Sequence, residues 1–466
     1  MDVRLKFLGG AKTVTGSKYL LEIDEFNLMI DCGLFQGLKE LRLRNWDEFP
    51  VDPKSINAIV LTHAHIDHSG YLPRLVKQGF SGPIYCTLAT ASLLDIMLKD
   101  AAKLQEEEAA FARKKGYSKH ESPQPLFDSK DAESALNMLK PISYLDKFLI
   151  NEGIHAEFFD AGHILGSAII ELTLEGSTQT KKIVFSGDLG RYDQPLLRDP
   201  HSIDNADILF IESTYGDRNN EEADTNKELA KAVNETFENN GCLLIPSFAV
   251  GRTQLLLYHF NYLFENNLIA PCPIYIDSPM AISATYIHKK HREDHKLSIG
   301  KHENVSIFDN KHFQYYQSQE SSMNLNNVTN GAIIISASGM CTGGRIMHHL
   351  YHRLPRTNDT LLFVGYQAIG TRGRKLVDGD KTSRIFGIDV PVKCQVKQIG
   401  GLSAHADQSE LMRWASNFKS SPKMTFIVHG EIESATVLEK KITNELKWSN
   451  VIIPEYLESF ELFQSI

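Results

Sequence analysis

Short apolar runs rich in Val, Ile and Leu punctuate the first 210 residues, each closed by Gly, Asp or Pro. Runs of that length and chemistry read as strands, here over 3–8, 18–23, 27–31, 58–62, 169–174, 183–186 and 207–212. Between them the period changes. Over 89–115 apolar residues recur at three and four and a Glu/Lys-rich tail follows, which predicts a long helix. From 215 to 385 the two patterns alternate, with helices over 226–239, 253–266, 281–291 and 344–354. The strands between them fall over 242–246, 274–277, 332–337 and 361–365. The tail repeats the theme: strand 393–399, helix 408–417, strand 424–429, helix 432–446. Such alternation argues for mostly parallel α/β sheet. The polar, poorly patterned stretch 293–328 is expected to be the most mobile. There is no internal repeat and no Gly/Ser/Pro-rich linker, so a second domain is expected to be inserted into the first.

Composition narrows the class only a little. The 466 residues are 42% hydrophobic and 23% charged, ordinary for a globular chain and long enough for two domains or more. The six cysteines form no C-x-x-C pair, which fits a reducing cytoplasm better than a disulfide framework. No apolar leader and no run of about 18 apolar residues is present, so neither export nor a membrane span is expected. A homodimer is compatible with the sequence. The net charge of −9 counts against a general nucleic-acid binder. It does not exclude local grip on phosphates, because bound metal ions can be the largest positive charges in a site.

The strongest chemical signal is Thr62-His63-Ala64-His65-Ile66-Asp67-His68, directly after an apolar strand. Sites in open α/β sheets form at the carboxyl ends of strands. Imidazole nitrogen suits zinc, and carboxylate oxygen can complete or bridge a pair. A solvated polar turn is the bland alternative, but four ligand-type side chains in six residues make it a poor one. Seven residues cannot close two zinc sites, so further ligands must lie elsewhere. Three positions share an apolar approach, a ligand and a glycine: His163 in Ala161-Gly162-His163, Asp188 in Ser186-Gly187-Asp188, and His429 in Val428-His429-Gly430. Singly, each His is as well explained as a satisfied core or surface residue.

Together with Asp31 in Ile30-Asp31-Cys32-Gly33, the set resembles the metallo-β-lactamase superfamily. The resemblance implies an α/β fold of four layers, αββα, with two zinc ions at the sheet edge. It implies that His63, His65 and His163 hold one ion, that Asp67, His68 and His429 hold the other, and that Asp188 bridges them. Asp31 would orient a ligand histidine. The segments Glu212-Ser213-Thr214-Tyr215-Gly216-Asp217, Gly401-Leu402-Ser403-Ala404-His405-Ala406-Asp407 and Phe426-Ile427-Val428-His429-Gly430-Glu431 are similar to motifs A, B and C of the β-CASP group. In that group an α/β cap domain interrupts the lactamase fold. Asp277-Ser278-Pro279-Met280-Ala281, Ser336-Ala337-Ser338-Gly339-Met340 and Gly370-Thr371-Arg372-Gly373-Arg374 are similar to it as well. The expected division is 1–207 and 386–466 for the lactamase domain and 208–385 for the cap.

His429 at motif C is similar to the RNA-processing members, such as the endonuclease subunit of the mRNA 3′-end cleavage machinery and its prokaryotic stand-alone relatives. The expectation is a two-zinc ribonuclease, endonucleolytic or acting also from a 5′ end. His405 would donate a proton to the departing ribose oxygen, with Glu212 orienting it and Asp31 and Asp67 completing the catalytic set. Ser403, Arg252, Gly343 and Arg345 are candidate phosphate contacts, weighed evenly against helix packing and surface cations. A DNA nuclease of the same group and a hydrolase of a small ester or thioester are the alternatives.

Overall fold

The computed structural model describes residues 1–115, 123–220, 224–296, 307–368 and 370–466. The expected mobile stretch 293–328 therefore lies partly outside the described residues. The chain divides into two compact units. The first comprises Met1–Gln194, Arg198–Asn219 and His405–Ile466; the second comprises Pro195–Leu197 and Asn220–Ala404.

Two seven-stranded sheets make up the first unit. One runs in the order Ser459–Phe463, Val3–Phe7, Tyr19–Ile23, Phe26–Ile30, Ala58–Val60, Ile84–Thr87, Leu139–Ile142. The other runs Val451–Ile452, Met424–Val428, Ile208–Glu212, Thr180–Phe185, Ala168–Glu175, Ile154–Asp160, Phe148–Asn151. Alternation decides how they meet. Val3, Leu5 and Phe7 point one way and are wholly buried, while Arg4 and Lys6 point the other. These apolar faces join those of Ile154, Phe158, Ile170, Leu172, Ile183 and Phe210 in one core. The outer face of the second sheet (Ile169, Val184, Leu209, Ile211, Ile427) packs under helices Gln408–Ala415 and Ile432–Lys441. Helices Leu72–Lys77, Leu88–Lys115 and Ser129–Leu136 cluster beside the first sheet. The layers are α, β, β, α.

The second unit holds a six-stranded sheet in the order Phe313–Tyr315, Ile274–Asp277, Ile333–Ser336, Leu243–Pro246, Thr360–Val364, Gln395–Ile399. Every pairing in it is parallel. Its four inner strands are mainly apolar runs because both faces are covered. The main segment of the second unit starts and ends later than the expected 208–385. Ile208–Glu212 pairs inside the first unit, with Thr180–Phe185 and Met424–Val428. Gln395–Ile399 extends the second unit's sheet. Among the described residues no helix is long and apolar enough to cross a membrane. All six cysteines are free thiols.

Candidate metal centre

Parallel register brings the site together. Ile30 pairs with Val60, so the residues that follow, Asp31 and Leu61-Thr62, leave the first sheet side by side. In the second sheet Phe185 pairs with Phe210 and Glu212 with Val428. Asp188, Glu212 and His429 thus emerge at one edge. His163 stands in the turn between Ile154–Asp160 and Ala168–Glu175. Asp31 and His429 take left-handed backbone (φ 58° and 48°), as do Gly162 and Gly187 beside their ligands. These sharp bends turn the chain at the strand ends.

Metal-ligating atoms converge in three groups, His63/His65/His163/Asp188, Asp67/His68/His429 and, sharing Asp188, Asp188/Glu212/His405. In the first, His65 Nδ1 lies 3.2 Å from both His63 Nε2 and His163 Nε2. Asp188 Oδ2 lies 3.5 and 3.6 Å from those same Nε2 atoms. In the second, His429 Nε2 lies 3.1 Å from His68 Nε2 and 3.4 Å from Asp67 Oδ2. Asp188 Oδ1 faces this group, 3.3 Å from His68 Nε2. Ligands arranged tetrahedrally about 2.0–2.1 Å from a zinc ion stand roughly 3.3 Å apart, which matches these separations. Asp188 Oδ1 is buried and has no hydrogen-bond partner among the described residues. A buried carboxylate oxygen without a hydrogen bond is costly; a metal cation held by these ligands would offset that cost.

Neighbouring groups fix the rings. Asp31, buried, accepts hydrogen bonds from the Thr62 amide (2.7 Å) and hydroxyl (2.8 Å). Its Oδ2 lies 2.7 Å from His68 Nδ1, so the Nδ1 proton is held there and Nε2 is left free as a ligand. The Thr62 hydroxyl also sits 3.0 Å from His63 Nδ1, and the Thr214 hydroxyl 3.2 Å from His429 Nδ1. Thr62 and Thr214 escape a search for ligand types, because their contribution is to hold ligands. Their signal in the sequence is only position, beside His63 and two residues after Glu212. Burial, together with the neighbouring His68, holds His63 well below the usual histidine range, as a neutral ligand must be. Burial works the same way on His68, but Asp188 and Asp31 outweigh it and push its pKa well up. In that ring a cation and a proton compete for one nitrogen.

His405 and Glu212 form a pair at the same edge. Glu212 is fully buried. It accepts from the backbone amides of Leu189 (2.7 Å) and Thr214 (3.2 Å). His405 Nδ1 lies 3.2 Å from Glu212 Oε1, and Nε2 turns toward Asp188, 3.9 Å away. The imidazole is 20% exposed. Burial disfavours its charged form, but Glu212 foremost and Asp188 with it raise the pKa to about 9.

Ten residues of the site expected from the sequence meet here: Asp31, His63, His65, Asp67, His68, His163, Asp188, Glu212, His405 and His429. The candidate phosphate contacts Ser403, Arg252, Gly343 and Arg345 belong to the second unit. Arg252 donates to the Val364 carbonyl. Arg345 donates to Asp277 (2.7 Å) and to the Tyr316 and Gln317 carbonyls. Gly343 faces open space.

Comparisons with known proteins agree with this layout. Three family models match: the metallo-β-lactamase superfamily over 13–224, the β-CASP domain over 253–376, and a Zn-dependent metallo-hydrolase RNA specificity domain over 389–454. Ribonuclease TTHA0252 of Thermus thermophilus is 36% identical, over 94% of this chain and 95% of its own length. The chain belongs to the β-CASP group of the metallo-β-lactamase superfamily. Other β-CASP relatives include transcription termination factor FttA of Methanocaldococcus jannaschii, 31% identical over 92% of this chain and 67% of that protein. An RNase J-like protein from the same organism is 29% identical over 98% of both chains. A crystal structure of a protein of unknown function from Enterococcus faecalis V583 shares the fold at 14% identity, with a TM-score of 0.55 over 99% of this chain and 100% of that one.

Proposed function

We propose that this protein is a ribonuclease that holds two zinc ions and cuts RNA phosphodiester bonds internally. The observation that carries the reading is His405. Its Nδ1 is fixed on a buried carboxylate while Nε2 faces the metal ligands, the posture of a proton donor at a metal hydrolase site. The β-CASP relatives named ribonuclease and RNase J-like support RNA as the substrate, as does the RNA-specificity family match over 389–454.

In this reading His63, His65 and His163 would hold one ion and Asp67, His68 and His429 the other, with Asp188 shared between them. When bound, zinc polarises a phosphoryl oxygen and makes water a ready nucleophile near neutral pH. The protein's own part is placement and proton transfer. Asp31 and Thr62 keep the His68 and His63 rings aimed, and the two oxygens of Asp188 face the two groups. Water oxygen joins phosphorus as the bond to the departing ribose oxygen breaks, and His405 Nε2 delivers the proton that this oxygen takes up. Glu212 keeps that proton on His405 at neutral pH. Contacts to flanking phosphates are proposed for Ser403, Gly343, Arg252 and Arg345, where substitution is expected to raise KM with zinc content unchanged. The inserted unit 220–404 is proposed as the β-CASP cap, and the free thiols support a cytoplasmic setting.

The test uses purified, zinc-loaded protein with RNA labelled at the 5′ or the 3′ end, and matched DNA. The expected result is internal cuts in RNA from either label, and intact DNA. His405→Ala should keep its zinc and lose about 10²–10⁴-fold in turnover. Cleavage of DNA alone, or unchanged turnover in His405→Ala, would contradict the reading.

A further inference from the structure

The first unit buries a cation that the chemistry above leaves unused. Lys18, immediately before the strand Tyr19–Ile23, is 3% exposed. Burial draws its pKa down to about 8, with Cys32 pulling the other way. No carboxylate pairs with it among the described residues. Its Nζ donates instead to the carbonyls of Gly16 and Gly33. It lies over the faces of Phe35 (4.4 Å) and Tyr71 (5.2 Å). An ammonium in such a place is costly unless its hydrogen bonds and ring contacts offset the lost water.

The two carbonyls show what the cation holds. Gly16 and Gly33 lie in separate loops, and both loops grip the backbone of the turn that carries Asp67 and His68. Ser17 N donates to Asp67 O (2.9 Å), Cys32 N to His68 O (2.7 Å) and Leu34 N to Ile66 O (2.9 Å). Gly33 N donates to Ser17 O (3.0 Å), joining one loop to the other. A Cβ on Gly33 would come within 1.6 Å of Asp67 O, so its backbone lies flat against the turn. Without Nζ the two carbonyls lose the donor that draws their loops together.

We propose that Lys18 is a positioning residue for one metal group only, that of Asp67, His68 and His429. It clamps the cradle in which Asp67 and His68 are set. The other group has supports outside that turn: His163 N donates to Ser167 Oγ (3.0 Å), and the Thr62 hydroxyl sits 3.0 Å from His63 Nδ1. None of these involves Gly16 or Gly33, so the effect of losing Lys18 is selective. The inference rests on the two-zinc reading above.

Lys18→Met removes charge and donors at similar length. Fully loaded wild type and variant are exposed to excess chelator, and retained zinc is measured over time. The single zinc kept by His429→Ala identifies the phase that belongs to the His63 group. Outer partners of metal ligands are typically worth 10–100-fold in affinity. The variant is therefore expected to release one zinc equivalent at least tenfold faster, to release the other at the wild-type rate, and to keep its far-UV spectrum. Release of both at wild-type rates overturns the proposal, as does acceleration of both by the same factor, the mark of general loosening. Lys18→Gln, which is neutral and shorter, decides the matter if Lys18→Met does not fold: selective acceleration supports the clamp and unaltered release overturns it. A wild type that binds one zinc overturns both readings, whereas two zincs in wild type with unaltered variants overturns this one alone.

Discussion

At the residue scale the site depends on groups that tune their neighbours. His405 is the clearest case, and its pH behaviour follows from its surroundings. Proton donation needs the cationic ring, which Glu212 and Asp188 sustain against burial up to about pH 9. The kcat profile is therefore expected to fall on the alkaline side as His405 loses its proton, below about 9 when zinc offsets the charge of Asp188. Glu212→Gln removes the largest stabilising charge, so the same fall should move down toward the ordinary histidine value of about 6.5. A descending limb that stays in place in Glu212→Gln would show that it belongs to another group. Asp31 acts on His68 in the same indirect way. Asp31→Ala frees the His68 ring, and zinc affinity is expected to drop about 10–100-fold, measurable by competition with a chromogenic chelator. Unchanged affinity would remove Asp31 from the site.

At the element scale the recurring device is a strand that stops where chemistry starts. Asp31, His63, Asp188, Glu212 and His429 all stand at or just beyond the carboxyl end of a strand, and this much was legible, since an apolar run ending in a ligand and a glycine is a local pattern. Elements without such a pattern were not legible. Leu139–Ile142 contains Pro141, which suits only an edge strand. Val451–Ile452 is two residues long, and Ser459–Phe463 shows a weak alternation because it lies at the sheet edge. Ile154–Asp160 does alternate, with Ile154, Ala156 and Phe158 facing inward; a closer reading of period would have found it. The boundary of the inserted unit was hidden for another reason. Which sheet Ile208–Glu212 and Gln395–Ile399 join is decided by partners far along the chain, and no local signal carries that. Close backbone approach is the other element-scale constraint. Gly33→Ala forces a Cβ into Asp67 O, and overpacking of this kind costs roughly 1–3 kcal/mol. Denaturant unfolding should show that loss along with weakened zinc retention; a variant as stable as wild type would contradict the packing argument.

At the scale of the whole molecule the acidic balance remains the unusual feature for a protein proposed to act on RNA. The net charge of −9 counts against a general electrostatic attraction for RNA, and a metal centre is one place where positive charge can be concentrated locally. Caging such charge is the role proposed for the first unit: seven candidate ligands from distant stretches of chain converge there, with one carboxylate, Asp188, facing both groups. The most direct measurement of that claim is the zinc content of the purified protein and of two ligand variants by elemental analysis. Two zinc ions per wild-type chain, one in His429→Ala and fewer than one in Asp188→Ala, is the predicted series. A wild-type protein that holds no zinc after gel filtration, or a His429→Ala variant that still holds two, would contradict it.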